Sequence, residues 1–177
     1  MKNLYKNPFV HTWTGKKFYF LNPSADDVCI EDIAHALSLQ CRFNGHIAEH
    51  YSVAEHCIIV AETVQAKVDD PKVVLAALIH DAAEAYLGDV VSPLKSLLPE
   101  YKKYERAVDE CIANKFSLSY PYSGIVCKAD KIVLEREFSF LAPFVEEGVH
   151  RKLMSAKVAE KNYLDFYYRL KERIEDE

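Results

Sequence analysis

A chain of 177 residues, half of them apolar, is long enough to bury a sizeable core and asks for no more than one domain, taken as residues 1–177. Its net charge of −5, with basic and acidic residues interspersed and no run of Lys or Arg, gives no footprint for a nucleic-acid duplex, although a small anionic substrate remains compatible. Five scattered cysteines without a CxxC pair suit a reducing compartment, and the N-terminus MKNLYKNPFVHTW has no apolar run of the secretory kind, so the expected location is the cytoplasm, with no membrane partner.

In chain order, PFVHTWTGKKFYFLNP (8–23) places aromatic and β-branched residues on both sides of a Thr14-Gly15 turn signal, which predicts a short β-hairpin. From Ile30 the period becomes helical, with Ile30, Ile33, Ala34 and Leu37 on one face, until the polar break at Arg42-Phe43-Asn44-Gly45. Ser52 and Glu55 form a capping box ahead of VAEHCIIVAETV, predicting a helix to about Lys67. Asp70-Pro71 supplies a cap and a first-turn proline for VVLAALIHDAAEAYL, and Gly88 is placed to end that helix in the left-handed conformation. Pro99 opens a further helix, another runs from about Gly124 to Leu141, and the tail VAEKNYLDFYYRLKERIEDE is amphipathic and helical. The expectation is an all-α bundle preceded by a hairpin, with no internal repeat or linker.

Positions that face a bundle interior should be apolar, yet His56, His80, Asp81 and Asp130 interrupt such stretches. Burying an unpaired carboxylate or imidazole is costly, so groups of this kind from separate helices converge most economically on one another or on a cation. Mixed nitrogen and oxygen ligands suit zinc, manganese, cobalt or iron better than calcium and leave open positions for water and substrate. Glu84 lies four positions after His80 and three after Asp81, so on one continuous helix it shares their face. Asp89, just past Gly88, can reach the same cavity from its rim. Both also have bland roles available, Glu84 pairing a histidine and Asp89 capping a turn.

An isolated His, an adjacent His-Asp pair ending an apolar run and a later Asp together resemble the HD-domain phosphohydrolases. The segments YSVAEH (51–56), HDAAEAYLGD (80–89), SPLK (92–95) and KADK (128–131) are similar to the subgroup of bacterial 5′-deoxynucleotidases and phage dATP triphosphohydrolases. The resemblance, which covers roughly residues 5–140, implies an HD-domain helical bundle. It implies a divalent ion (Zn, Mn, Co or Mg) held by His56, His80, Asp81 and Asp130, with Glu84 and Asp89 as catalytic groups. Substrate contacts would come from Arg42 and Phe43, and Lys95 matches a phosphate-binding lysine of the phage enzymes. For Arg42 and Lys95 the plain alternative is a solvated side chain, and for Phe43 ordinary core. A homo-oligomer is implied too, and the host cytoplasm if the gene is a phage's.

The expected chemistry is attack of a cation-activated water on phosphorus, charge compensation by Arg42 and Lys95, and protonation of the leaving O5′ by Glu84 or Asp89. The same P–O5′ bond breaks in a monophosphate and in a triphosphate losing tripolyphosphate. Lys95, with Lys128 or Lys131 nearby, inclines the expectation to a deoxynucleoside triphosphate hydrolase favouring dATP, with a 5′-deoxynucleotidase as the alternative. A reading of another class is a nucleotide- or protein-binding bundle with a structural metal, which Glu84, Asp89 and Arg42 argue against. His46 and His50 flank the Arg42 loop without being expected ligands. His11, His35 and His150 are expected to be structural, and Tyr163, Tyr167 and Tyr168 to pack along the last helix or an oligomer interface.

Overall fold

A computed structural model describes residues 6–141 and 152–176, so His150 lies outside the described residues. The hairpin forms as expected: β1 (Phe9–His11) pairs antiparallel with β2 (Lys17–Tyr19), Val10 opposite Phe18, with Gly15 at φ +85° in the turn. Phe18 is fully buried and stacks on Tyr86 at 3.9 Å between ring centroids, which pins the hairpin to the helical body.

Eight helices follow among the described residues, beginning with α1 (Ile30–Leu39), whose apolar stripe is buried as the period predicts. A 3-10 turn (Arg42–Gly45) then leads into α2 (Val53–Gln65). Ser52 Oγ accepts the backbone N–H of Glu55, as its half of a capping box requires. The Glu55 carboxylate accepts the backbone N–H of Met154 and so ties the helix start to the approach of the last helix. Buried on nearly every face, α2 is the axis of the fold and packs against α1, α3, α7 and α8.

Asp70 caps α3 (Pro71–Leu78) by accepting from the N–H groups of Lys72 and Val73. The single helix expected from here to Leu87 is broken. Ile79 leaves helical geometry at φ −101°, ψ 8°, and the chain turns through His80-Asp81 before resuming as α4 (Glu84–Leu87). Two side chains explain the break. His80 Nδ1 bonds the carbonyl of Ala77 at 2.8 Å, and Tyr163 Oη donates to the carbonyl of Leu78 at 2.8 Å. The backbone there tightens to shorter-range bonds, Ala82 N to Ile79 O and Glu84 N to Asp81 O. Gly88 does end α4, but at φ 83°, ψ 153°, an extended mirror-image region rather than the left-handed helical one.

The chain continues through α5 (Ser92–Lys95), a single turn the periodicity did not predict, then α6 (Pro99–Lys115), α7 (Gly124–Leu141) and α8 (Ala156–Glu175). Tyr163, Phe166 and Leu170 bury one face of α8 against α1 and α3, so these tail positions serve packing, while Tyr168 Oη reaches Glu31 at the surface. His35 stacks on Trp13 and bonds Glu160, in keeping with a structural role. No described helix is long and apolar enough to cross a membrane.

Candidate metal centre

Three parts of the chain meet at one point: the middle of α2 brings His56, the break after α3 brings His80 and Asp81, and α7 brings Asp130. His56 Nε2 lies 3.5 Å from Asp81 Oδ2 and 3.2 Å from Asp130 Oδ1, while His80 Nε2 lies 3.2 Å and 3.8 Å from the same two oxygens. Single donor atoms from His56, His80 and Asp130 all fall within 4.8 Å of one another, as a common ion requires.

The outer nitrogens fix which atoms point inward. His80 Nδ1 donates to Ala77 O, and His56 Nδ1 donates to the Glu137 carboxylate at 2.6 Å, so both rings turn Nε2 toward the centre. These two Nε2 atoms are buried without a hydrogen-bond partner. Two imidazoles left unsatisfied beside two carboxylates fit a divalent cation, which takes a lone pair from each and offsets both negative charges.

Burial alone would raise the pKa of Asp81, but His80, His56 and Arg42 beside it hold its carboxyl below the usual range. Asp130 is likewise held ionised against burial, by the His56 and His80 imidazoles beside it. Burial disfavours a charged His80, yet Asp81 and Asp130 raise its pKa well above the ordinary histidine value, which expresses the same demand for a positive charge at this point.

Above the cluster opens a cavity of about 720 Å³. Its lining combines the polar Asp81, Asp130, Glu84, Asp89 and Arg42 with the apolar Phe43, Ile47, Val91, Leu134 and Phe138. Glu84 faces this space although it and His80-Asp81 do not share one continuous helix. Burial, then Asp81 and Asp89, push its pKa well above the carboxylate range. Asp89 is raised as well, by burial and Asp81, against the pull of Arg42 and Lys95. Gln40 fastens this segment at both ends: its amide donates to Glu84 O at 2.9 Å, and its carbonyl accepts Asp89 N–H at 3.0 Å.

The Arg42 loop closes on itself through Arg42 N to Tyr51 O and Val53 N to Gln40 O. Phe43 and Asn44 hold φ of 57° and 52°, unusual for side chains other than glycine's, and Phe43 packs edge-on against Phe138 at 5.1 Å. Arg42 is buried rather than solvated, 3.6 Å from Asp81 and 3.1 Å from Glu137.

Lys95 departs from expectation. It lines the cavity, but its ammonium group is paired with Glu105 at 2.5 Å, with the Glu84 carboxyl 3.8 Å away, so it is not a free phosphate cation. Lys128 and Lys131 are exposed and outside the cavity lining, while His46 lines it and His50 is at the surface.

Glu137, Gln40, Tyr51 and Phe138 were not anticipated. Glu137 follows Asp130 by two helical turns and therefore shares its face, but Glu135-Arg136-Glu137 read as one charged surface run and concealed it. Gln40 and Tyr51 act through the folding of a loop, for which periodicity carries no signal.

Residues 38–122 match the HD domain family, a span containing His56, His80, Asp81, Glu84 and Asp89. The uncharacterised protein YfdR of Escherichia coli (strain K12) is 42% identical over 129 residues, 73% of this chain and 70% of YfdR. An uncharacterised protein of Rhodobacter capsulatus is 32% identical over 149 residues, 78% of this chain and 75% of its own length. With its paired histidines and aspartates gathered beneath one cavity, the chain belongs to the HD-domain family.

Proposed function

We propose that this protein is a metal-dependent phosphohydrolase that removes the 5′ phosphate of deoxynucleoside monophosphates by cleaving the P–O5′ bond. HD domains as a class are metal-dependent phosphohydrolases, and the His/Asp group here can hold a divalent ion. The observation that carries the substrate reading is the mixed lining of the cavity: beside its charged groups, Phe43, Phe138, Ile47 and Leu134 offer apolar surface of the kind a nucleobase and sugar pack against. The deoxynucleotide class itself comes from the similarity of the 51–56, 80–89, 92–95 and 128–131 segments.

Charge favours a monophosphate over a triphosphate. Arg42 and Lys95 are the arginine and lysine side chains at the cavity, against the carboxylates of Asp81, Asp89, Asp130 and Glu137, with Glu84 held protonated. A phosphate monoester brings less negative charge than a triphosphate to a lining already rich in carboxylates, with Arg42 and a bound divalent ion to meet it. A triphosphate brings further negative charge, and the cations that would have met it are paired (Lys95) or elsewhere (Lys128, Lys131). The geometry thus supports the nucleotidase reading over the dATP hydrolase that the lysine content favoured.

His56, His80, Asp81 and Asp130 would hold the ion, which would supply Lewis acidity at the phosphoryl group and lower the pKa of water beside it. Arg42, held in place by Glu137 and Asp81, binds phosphoryl oxygens and stabilises the charge that grows on them. As water attacks phosphorus and the bond to O5′ breaks, Glu84 gives the leaving oxygen its proton, a role suited to a carboxyl kept protonated by burial. Asp89, on the opposite side of Gly88, accepts the proton that the attacking water sheds.

Incubating the protein with deoxynucleoside mono- and triphosphates and Mn²⁺ or Co²⁺, then separating products by ion exchange, tests this. Orthophosphate and deoxynucleoside from the monophosphates are expected; tripolyphosphate as the main product would restore the triphosphate reading.

A further inference from the structure

Glu137 is fully buried, takes no direct part in the four-residue cluster, and touches both halves of the site. Its Oε1 accepts from His56 Nδ1 at 2.6 Å and from Tyr51 Oη at 2.7 Å, and its Oε2 accepts from Arg42 Nη2 at 3.1 Å. These three donors come from the Arg42 turn, the end of the following loop and the middle of α2.

A carboxylate this deep is costly to bury, and apolar replacements of buried ion pairs are often neutral or stabilising, so stability alone is a poor reason for its presence. Its geometry gives a better one. An ionised carboxyl group only accepts, so His56 must carry its proton on Nδ1 and present the Nε2 lone pair to the centre. The other oxygen holds the Arg42 guanidinium in the cavity lining against the left-handed turn at Phe43.

We propose that Glu137 is a positioning residue that fixes His56 and Arg42 together, so that one carboxylate couples metal binding to anion binding in the same cavity. This rests on the reading that the cavity holds an ion and a phosphoryl group. An ion drawing on Nε2 makes the Nδ1 proton a stronger donor to Oε1, which anchors the carboxylate and, through Oε2, the guanidinium. Removing the charge loosens both and leaves Asp81 alone beside them: a glutamine still accepts from one neighbour, but its amide turns N–H donors on the other, toward either His56 or Arg42, which are donors themselves.

The test compares wild type, Glu137→Gln and Tyr51→Phe, the last removing a different bond to the same carboxylate while leaving its charge and its contacts with His56 and Arg42. Circular dichroism establishes folding. Chelator competition gives the Mn²⁺ dissociation constant, the absorption spectrum of bound Co²⁺ reports ligand geometry, and calorimetry with saturating Mn²⁺ gives the dissociation constant of inorganic phosphate. E137Q is expected to weaken Mn²⁺ by about 10–100-fold, to change the Co²⁺ spectrum and to weaken phosphate severalfold, with Tyr51→Phe close to wild type in all three. Should E137Q not fold, Glu137→Asp keeps the charge and withdraws it by one methylene, with losses expected in the same direction. A folded E137Q with wild-type Mn²⁺ and phosphate constants would overturn the proposal. Wild type that takes up no ion would overturn the metal reading beneath it, and a protein that binds Mn²⁺ but hydrolyses no nucleotide would overturn only the proposed substrate.

Discussion

At Glu84, burial and two neighbouring carboxylates act in the same direction and keep the group protonated well above the usual range. Replacing it with glutamine retains the shape and removes the proton donor. For Glu84→Gln we predict a fall in kcat of about 10²–10⁴-fold with Mn²⁺ binding retained, and an unchanged kcat would remove the acid role. A second carboxyl group offers a test of stability. Burial and Glu105 push Asp109 up to about 7, although Tyr120 Oη donates to it. Its folded pKa lies above its unfolded value, so the folded state binds the extra proton and stability falls as pH rises between the two, from about 4 to 7. Asp109→Asn, measured with chelator present, should therefore raise Tm at pH 8 by about 2–4 °C, on the order of 1 kcal/mol, and have little effect at pH 4.

The elements that carry the site are the irregular ones. The capped starts of α2 and α3 were legible because Ser52 and Asp70 act locally, on N–H groups two or three residues away. The break at His80-Asp81 was not, since one of its causes, Tyr163, lies 85 residues from the carbonyl of Leu78 that it engages. Tyr163→Phe removes a buried hydrogen bond and should cost about 0.5–1.5 kcal/mol in denaturant unfolding, with a measurable loss of Mn²⁺ affinity because the turn that carries His80 loosens. Gly88 has no side-chain crowding to fear, since nothing lies within 4 Å of a Cβ placed there. Its constraint is the backbone alone: φ 83°, ψ 153° is a region that L side chains rarely adopt. Gly88→Ala should therefore cost about 1–3 kcal/mol and displace Asp89, a loss visible both in thermal melts and in kcat.

On the scale of the whole molecule, α2 is the shared axis against which α1, α3, α7 and α8 pack, and its middle holds His56. The all-helical body and the hairpin were readable, and the four candidate ligands stood out because polar residues in apolar helical stretches break their period. The substrate side was harder to read. Lys95 looks like any cation in the chain, and only its neighbour Glu105 shows that its charge is spoken for. Glu137 was hidden in a charged run whose other members face outward.

Everything proposed for the site depends on His56, His80, Asp81 and Asp130 holding one divalent ion beneath the cavity. Elemental analysis after equilibrium dialysis against Mn²⁺ or Co²⁺, for wild type and His80→Ala side by side, addresses it directly. The expected result is ion retained by wild type and lost from a folded His80→Ala; equal retention by both proteins, or none by wild type, would contradict the four-residue site.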